Sequence, residues 1–300
     1  MDFDVIIIGA GPAGLTAALY LGRANLKTLI LESTGCGGQL NYTYEVDNFP
    51  GFFGKGAELA EKMRTQSLKF GGVLSSEKSL EIKVLEDGTK IVKTRKNEYR
   101  AKAIIIATGA SPRLLGADGE EQFKGLGVSY CATCDGAFFK DKTVLVAGGG
   151  NTAFEDALYL SKFCKAVYLI HRRDKFRASA NLVEKVKGNP KIIVRTNEII
   201  EKIQGEKTVN SVVLKNTISS ENSVLDTSAV FVAAGRIPNS AIFKDFLELD
   251  SSGYIVTDEN MRTNINGIYA VGDVRTTPLR QIITAAADGA IAANDISLSI

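Results

Sequence analysis

The sequence predicts an α/β chain of two domains built to one design, the second inserted into the first. Three observations predict it. An apolar run that enters a glycine-rich turn occurs twice, Asp4–Ile8 into Gly9-Ala10-Gly11-Pro12-Ala13-Gly14 and Thr143–Ala147 into Gly148-Gly149-Gly150-Asn151-Thr152-Ala153. Each copy closes alike, with Ala103–Ala107 entering Thr108-Gly109-Ala110-Ser111-Pro112 and Ala229–Ala233 entering Ala234-Gly235-Arg236-Ile237-Pro238. After the second closing turn no third glycine motif begins, so the remaining segment most simply returns to complete the first domain.

In the first copy a helical stretch runs from the glycine turn to about Ala24 and a strand spans Lys27–Leu31. Glu32 ends that strand, 18 residues beyond Gly14. Gly56–Phe70 has the periodicity of an amphipathic helix. Val73–Val84 and Lys90–Arg100 have the texture of short strands, with Asp87-Gly88 at a hairpin. In the second copy a helix reaches about Phe163 and a strand spans Ala166–Ile170. His171 ends it, again 18 residues beyond the last small residue of the motif. Residues 191–216 repeat the short-strand texture. Gly267–Val271 is expected as a strand, Gly272-Asp273 as a turn, and Leu279 to about Ile296 as a helix. The expected boundaries fall near 112 and 240. Residues 1–112 and 241–300 then form a discontinuous first domain, and 113–240 the second.

Composition narrows the function classes. Lys and Arg total 36 against 34 Asp and Glu, a net charge of +2 that suits no polyanionic partner, and no basic block carries the interleaved aromatics of a nucleic-acid groove. The acidic opening Met1-Asp2-Phe3-Asp4 is unlike a secretory signal. The apolar runs Val5–Ile8 and Ala103–Ala107 fall far short of the roughly 18 residues of a membrane span. A cytoplasmic protein is expected, with no nucleic-acid or membrane partner. Four cysteines in 300 residues make no secreted disulfide framework.

The two glycine turns specify a ligand class. Glycines at 9, 11 and 14 permit a tight turn, close backbone approach to a pyrophosphate and close helix–strand packing. The phosphates then sit at a helix N-terminus, where unpaired N–H groups favour negative charge. Glu32 stands where a carboxylate accepts from a ribose hydroxyl. The second copy has His171-Arg172-Arg173 at the equivalent place, with Arg177 just beyond. Guanidinium groups grip a 2′-phosphate that a carboxylate would repel. Both domains are therefore expected to be Rossmann-like, three-layer ββα units, the first preferring the adenosine of FAD and the second NADP(H). His171, the one histidine of the chain, is expected to hydrogen-bond rather than to act in acid–base chemistry.

Cys131-Ala132-Thr133-Cys134-Asp135 carries the remaining chemistry. A C-x-x-C is a redox pair, half of a zinc site, or two core thiols. Cys36 and Cys164 supply no second metal-binding pair, so no metal is expected. Asp135 beside the pair could move the proton of thiol–disulfide exchange, or could cap a helix. Cys36, in the loop after Glu32, reads as a bystander thiol and Cys164 as core.

Over nearly its whole length the chain resembles the low-molecular-weight, bacterial-type thioredoxin reductases, members of the class II pyridine nucleotide-disulfide oxidoreductases. The residues that carry the resemblance are Gly9–Gly14, Gly37-Gly38-Gln39-Leu40, Asp47–Gly51, Ala107-Thr108-Gly109, Cys131–Asp135, Gly148–Ala153, His171–Arg173, Gly272-Asp273-Val274 and Arg280-Gln281. The most specific is the C-x-x-C just before the first strand of the second copy. The resemblance implies transfer from NADPH to FAD, then to a Cys131–Cys134 disulfide, then to thioredoxin. In the FAD site it implies Gly9, Gly11, Pro12, Ala13, Gly14, Glu32, Gly38, Gln39, Leu40, Asn48, Ala107, Thr108, Gly109, Gly272, Asp273, Arg280, Gln281 and Ile282. In the NADPH site it implies Gly150, Asn151, Thr152, His171, Arg172, Arg173, Arg177 and Gly235. Cys134 is expected to face the flavin, Cys131 to attack thioredoxin and Asp135 to be the acid. The resemblance further implies a homodimer and rotation of the second domain on its two linkers. Phe49, where many relatives carry tryptophan, and Arg236 are individual departures. Two rivals remain on sequence grounds: a relative serving another disulfide partner or electron donor, and a non-catalytic FAD-binding module with a structural cysteine pair.

Overall fold

A computed structural model of the chain describes residues 2–43 and 45–300; Met1, the first residue of the expected first domain, lies outside the described residues. Its α-helices are α1 (Pro12–Arg23), α2 (Gly56–Lys69), α3 (Ala132–Asp135), α4 (Asn151–Ser161), α5 (Ala180–Lys187) and α6 (Ile282–Ser299). The chain divides into two compact units. One holds the residues through Asn41, Phe49–Ser111 and Ile237–Ile300, and the other Tyr42–Asn48 and Pro112–Arg236.

The first unit is built on a sheet ordered Val73–Ser75, Thr28–Leu31, Asp2–Ile8, Glu98–Ile106, Lys90–Lys93, Glu81–Val84, with Ile268–Ala270 also alongside Glu98–Ile106. Ile7 pairs with Ile30 on one side and Ile105 on the other, all parallel. Apolar side chains point to both faces because both faces are covered, which is why these strands read as continuous apolar runs. On one face Val5, Ile7, Ile30 and Ile105 pack with α1 and α6; on the other Ile6, Ile8, Leu29 and Ile104 pack with Phe243, Leu247 and Ile255. A Cβ on Gly289 would lie 2.2 Å from the Ala13 carbonyl oxygen, so glycine there lets α6 touch the start of α1. The returning strand Ile268–Ala270 and α6 are thus integral to the first unit's core.

Two expectations need correction. Lys90–Arg100 and Ala103–Ala107 were expected as separate strands, whereas Glu98–Ile106 is one unbroken strand. α6 starts at Ile282, not Leu279, because Gln281 forms its N-cap in a capping box with Thr284. The Asp87-Gly88 hairpin forms as expected between Glu81–Val84 and Lys90–Lys93, with Gly88 at φ +83°.

The second unit repeats the design with a parallel sheet ordered Val128–Ser129, Val230–Ala233, Thr143–Gly148, Ala166–His171, Ile192–Thr196. α3, α4 and α5 pack on one face around Phe154, Leu160, Val167 and Phe231. A three-stranded antiparallel sheet, Glu198–Gly205, Val209–Asn216 and Asn222–Asp226, covers the other through Ile203, Val212 and Leu214. Its third strand was not expected.

Candidate functional site

In the first unit the strand Asp2–Ile8 delivers the chain into a glycine turn that no other residue type could make. Gly9 has φ +109°, and a Cβ there would sit 2.3 Å from the Ala107 carbonyl oxygen; one on Gly14 would sit 2.0 Å from the Gly9 carbonyl oxygen. Gly11 differs, since nothing lies within 4 Å of where its Cβ would be. It is the extended N-cap of α1, no side chain caps the helix, and Pro12 follows. The first N–H groups of α1 are therefore left for an anion, with open space before them.

Several of the expected partners of that turn lie in the same unit, and Gly38, Glu32 and Gly272 reach it directly. Gly38, at φ +56°, brings its loop to the turn, its Cβ position 3.3 Å from the Gly11 Cα. Glu32 accepts the Ala10 N–H at Oε2 (2.9 Å) and the Thr34 N–H at Oε1 (2.7 Å), so it braces the turn while keeping lone pairs for a further donor. Gln39 donates through Nε2 to the Ala110 carbonyl (3.0 Å) and to Asp273 Oδ2 (3.3 Å). Leu40 is buried beneath it. Gly272 places its Cβ position 3.0 Å from Ala13, joining the Gly272-Asp273 turn to the start of α1. Arg280 lays its guanidinium over the Tyr254 ring at 4.0 Å, and its buried Nε has no partner among the described residues. Gln281 and Ile282 begin α6. Asn48 is exposed on the strand Val46–Phe49 and groups with the other unit.

Open space at Gly11 and uncapped helix N–H groups fit the pyrophosphate of a dinucleotide such as FAD, and the Arg280 Nε is a further buried donor of the same unit without a partner among the described residues. Sequence reasoning missed two residues that shape this site. Asn239 clasps Thr108 from both sides, accepting its hydroxyl (2.8 Å) and donating to its carbonyl (2.8 Å). Buried Asp288 accepts the Gly272 N–H (3.0 Å) and Arg275 Nη1 (3.1 Å), fixing the turn that carries Asp273. Both act across long sequence separations and carry no local motif. Cys36 touches the Ala10 carbonyl at 3.8 Å, and burial pushes its thiol up to about 11, so it is un-ionised at neutral pH.

The second unit has its own cradle. Gly150 is the extended, uncapped N-cap of α4 with nothing within 4 Å of its Cβ position. A Cβ on Gly149 would lie 2.2 Å from the His171 ring, so glycine there makes room for the histidine. His171 Nε2 lies 3.1 Å from the Lys175 carbonyl, and the Arg177 N–H donates to the Gly149 carbonyl (2.7 Å). The basic loop is thereby folded back onto the glycine turn. Burial lowers the His171 pKa, the Lys175 carbonyl contact opposes this, and Arg172, Arg177 and Arg173 add to it, so the neutral ring is favoured. Arg172, Arg173 and Arg177 are exposed and form no ion pair among the described residues. Exposed Thr152 and Asn151 begin α4, and the Asn151 Oδ1 accepts the Ser179 N–H. Gly235, at φ +103°, accepts the Arg113 N–H through its carbonyl (2.9 Å).

Cys131 and Cys134 are joined by a disulfide. Cys131 is the N-cap of α3, and its carbonyl accepts the N–H groups of Cys134 and Asp135. The short helix is pressed on α4 at Gly136, where a Cβ would meet Leu160 at 2.7 Å. Cysteine sulfurs half-exposed on a rigid turn suit exchange with another protein. Among the described residues no three metal-binding side chains cluster. Asp135 ends α3 and stands at the N-cap position of the 3-10 turn Gly136–Phe139, but its side chain makes no capping hydrogen bond there; its Oδ2 accepts the Ser129 hydroxyl (2.6 Å) instead. Its Oδ1 is buried and has no hydrogen-bond partner among the described residues. Burial raises its pKa, the Asp47 charge adds to this, and the Ser129 hydrogen bond opposes it.

The family model described as pyridine nucleotide-disulphide oxidoreductase matches residues 3–289. A protein of Peptoclostridium acidaminophilum named thioredoxin reductase is 47% identical over 97% of this chain and 95% of its own. The crystal structure of thioredoxin reductase from Streptococcus pyogenes is 43% identical, with a TM-score of 0.94 over 98% of this chain and 97% of its own. Thioredoxin reductase from Giardia duodenalis is 38% identical, with a TM-score of 0.93 over 100% and 99%.

Proposed function

The chain belongs to the pyridine nucleotide-disulphide oxidoreductase family, and from that premise we propose that it is an NADPH-dependent thioredoxin-disulfide reductase. The observation that carries this reading is the Cys131–Cys134 disulfide on a short, half-exposed turn beside the largely buried carboxylate of Asp135. FAD, when bound, supplies the two-electron relay between NADPH and that disulfide. Residues of the first glycine turn, with Glu32, Gln39 and Asp273, would hold it. Arg172, Arg173 and Arg177 would hold the 2′-phosphate of NADPH, and His171 their loop.

The chain's own residues then carry out the exchange. The reduced pair starts with Cys131 as thiolate, its proton on Asp135, and Cys134 as thiol. Cys131 attacks one sulfur of the thioredoxin disulfide, forming a mixed disulfide and releasing a thiolate that takes the Asp135 proton. Asp135 next takes the proton of Cys134. The Cys134 thiolate attacks the Cys131 sulfur, re-forms the intramolecular disulfide and frees the second thioredoxin sulfur, which receives that proton. Two electrons and two protons leave with reduced thioredoxin.

The functional domains of this reading are 1–112 with 241–300 for FAD and 113–240 for NADPH, the second turning on its two crossings between half-reactions. The enzyme works as a homodimer in the cytoplasm. Exposed Ile283, Ile291 and Leu298 on one face of α6 support a second copy as partner. The unpaired thiols of Cys36 and Cys164 support a reducing compartment. Turnover of thioredoxin by the FAD-loaded enzyme, with NADPH and NADH compared, tests the assignment. Fast thioredoxin reduction with NADPH is expected; NADPH oxidation that leaves thioredoxin oxidised refutes it.

A further inference from the structure

We infer that Ser129 is a positioning residue for the exchange reaction, its hydroxyl holding the carboxyl of Asp135 and the backbone of Cys131 on one atom. The inference rests on the reading of Asp135 as the acid and extends it to a residue with no reactive group of its own.

Ser129 ends the two-residue strand Val128–Ser129, pairs with Phe231 in the parallel sheet, and is 6% exposed. Its Oγ therefore has a fixed origin. That oxygen donates to Asp135 Oδ2 at 2.6 Å and accepts the Cys131 N–H at 3.1 Å. A hydroxyl has one proton to give. The 2.6 Å contact takes it, and the Cys131 carbonyl at 3.3 Å is the alternative acceptor of the same proton. Oδ2 is thus occupied by a donor, while Oδ1 is buried without a partner among the described residues. The acid proton is assigned to Oδ1 by this arrangement, and it can come and go while Ser129 keeps Oδ2 in place.

Among the described residues the charged group that bears on Asp135 is Asp47. Asp47 acts in the same direction as burial. Among the described residues Ser129 is the neighbour that favours the ionised carboxylate, so it sets how readily the proton is released.

The test is the pH dependence of kcat/KM for thioredoxin in FAD-loaded wild type, S129A, S129T and D135N at saturating NADPH. D135N identifies the limb that belongs to the acid, because that limb is absent from its profile. In S129A the same limb moves to higher pH by about one unit, the effect of removing a hydrogen bond to a charged acceptor. S129T, which restores the hydroxyl, returns it to the wild-type position. An S129A limb superimposed on wild type, with D135N still lacking it, overturns the role of Ser129 and leaves the acid in place. A shifted S129A limb that S129T does not return also overturns it, since shape rather than the hydroxyl is then responsible. A D135N profile identical to wild type overturns the acid and the inference together.

Discussion

Replacing Arg172 and Arg173 together by alanine separates the proposed 2′-phosphate site from general structural effects. Both guanidinium groups are exposed and form no ion pair among the described residues, so their removal orphans no carboxylate there. A hydrogen bond to a charged group contributes about 1.5–3 kcal/mol when protected, and exposure and salt reduce this to about 1–1.5 kcal/mol per arginine. Two arginines then account for about 2–3 kcal/mol, a loss of about 30- to 150-fold in kcat/KM for NADPH. Arg177, tied through its N–H to Gly149, keeps the loss from being complete. NADH lacks the phosphate, so its kcat/KM should change by no more than about threefold. The assay is steady-state reduction of thioredoxin with each nucleotide at fixed ionic strength. Equal losses with both nucleotides, or no loss with NADPH, would refute the assignment.

Gly9→Ala places a Cβ 2.3 Å from the Ala107 carbonyl at φ +109° and should abolish FAD retention, read from the flavin-to-protein absorbance ratio after purification; full retention contradicts the cradle. Asp135→Asn should keep only a small residual activity yet raise the melting temperature at pH 7.5. The sign follows from the raised folded-state pKa: above the unfolded value of 3.8, the unfolded chain gives up its proton before the native one, so stability falls as pH rises toward the folded value. Removing that penalty should raise Tm by about 1–3 °C, measured by scanning calorimetry at pH 4 and pH 7.5, with the gain confined to the higher pH. Cys134→Ser should eliminate thioredoxin turnover while NADPH still bleaches bound flavin, and stopped-flow absorbance distinguishes the two.

Much of the fold is legible in the sequence because its strongest signals are local. An apolar run, a glycine turn and a helix recur twice, and each recurrence became a strand–turn–helix unit. The strand Glu98–Ile106 shows where locality fails. Its first half alternates in burial beside the antiparallel Lys90–Lys93, and its second half is buried throughout beside Ile268–Ala270. Two textures on one strand read as two strands. Asn222–Asp226 is an exposed edge with no apolar pattern, so nothing in its residues announced it. The site divides in the same way. Glycines and cysteines announce themselves by spacing, whereas Ser129, Asn239 and Asp288 are ordinary residues whose partners are fixed by the fold. His171 stood out as the lone histidine, yet what it does is fill the space that Gly149 leaves.

The central claim is that NADPH electrons reach Cys131 and Cys134. The direct measurement is native alkylation with iodoacetamide of the FAD-loaded enzyme, without oxygen, before and after excess NADPH, with the modified cysteines mapped by mass spectrometry. NADPH should expose two new reactive thiols, at Cys131 and Cys134, while Cys36 and Cys164, whose thiols burial keeps protonated to about pH 11, stay unlabelled in both samples. A protein whose flavin is bleached by NADPH but whose Cys131 and Cys134 remain unlabelled would contradict the claim.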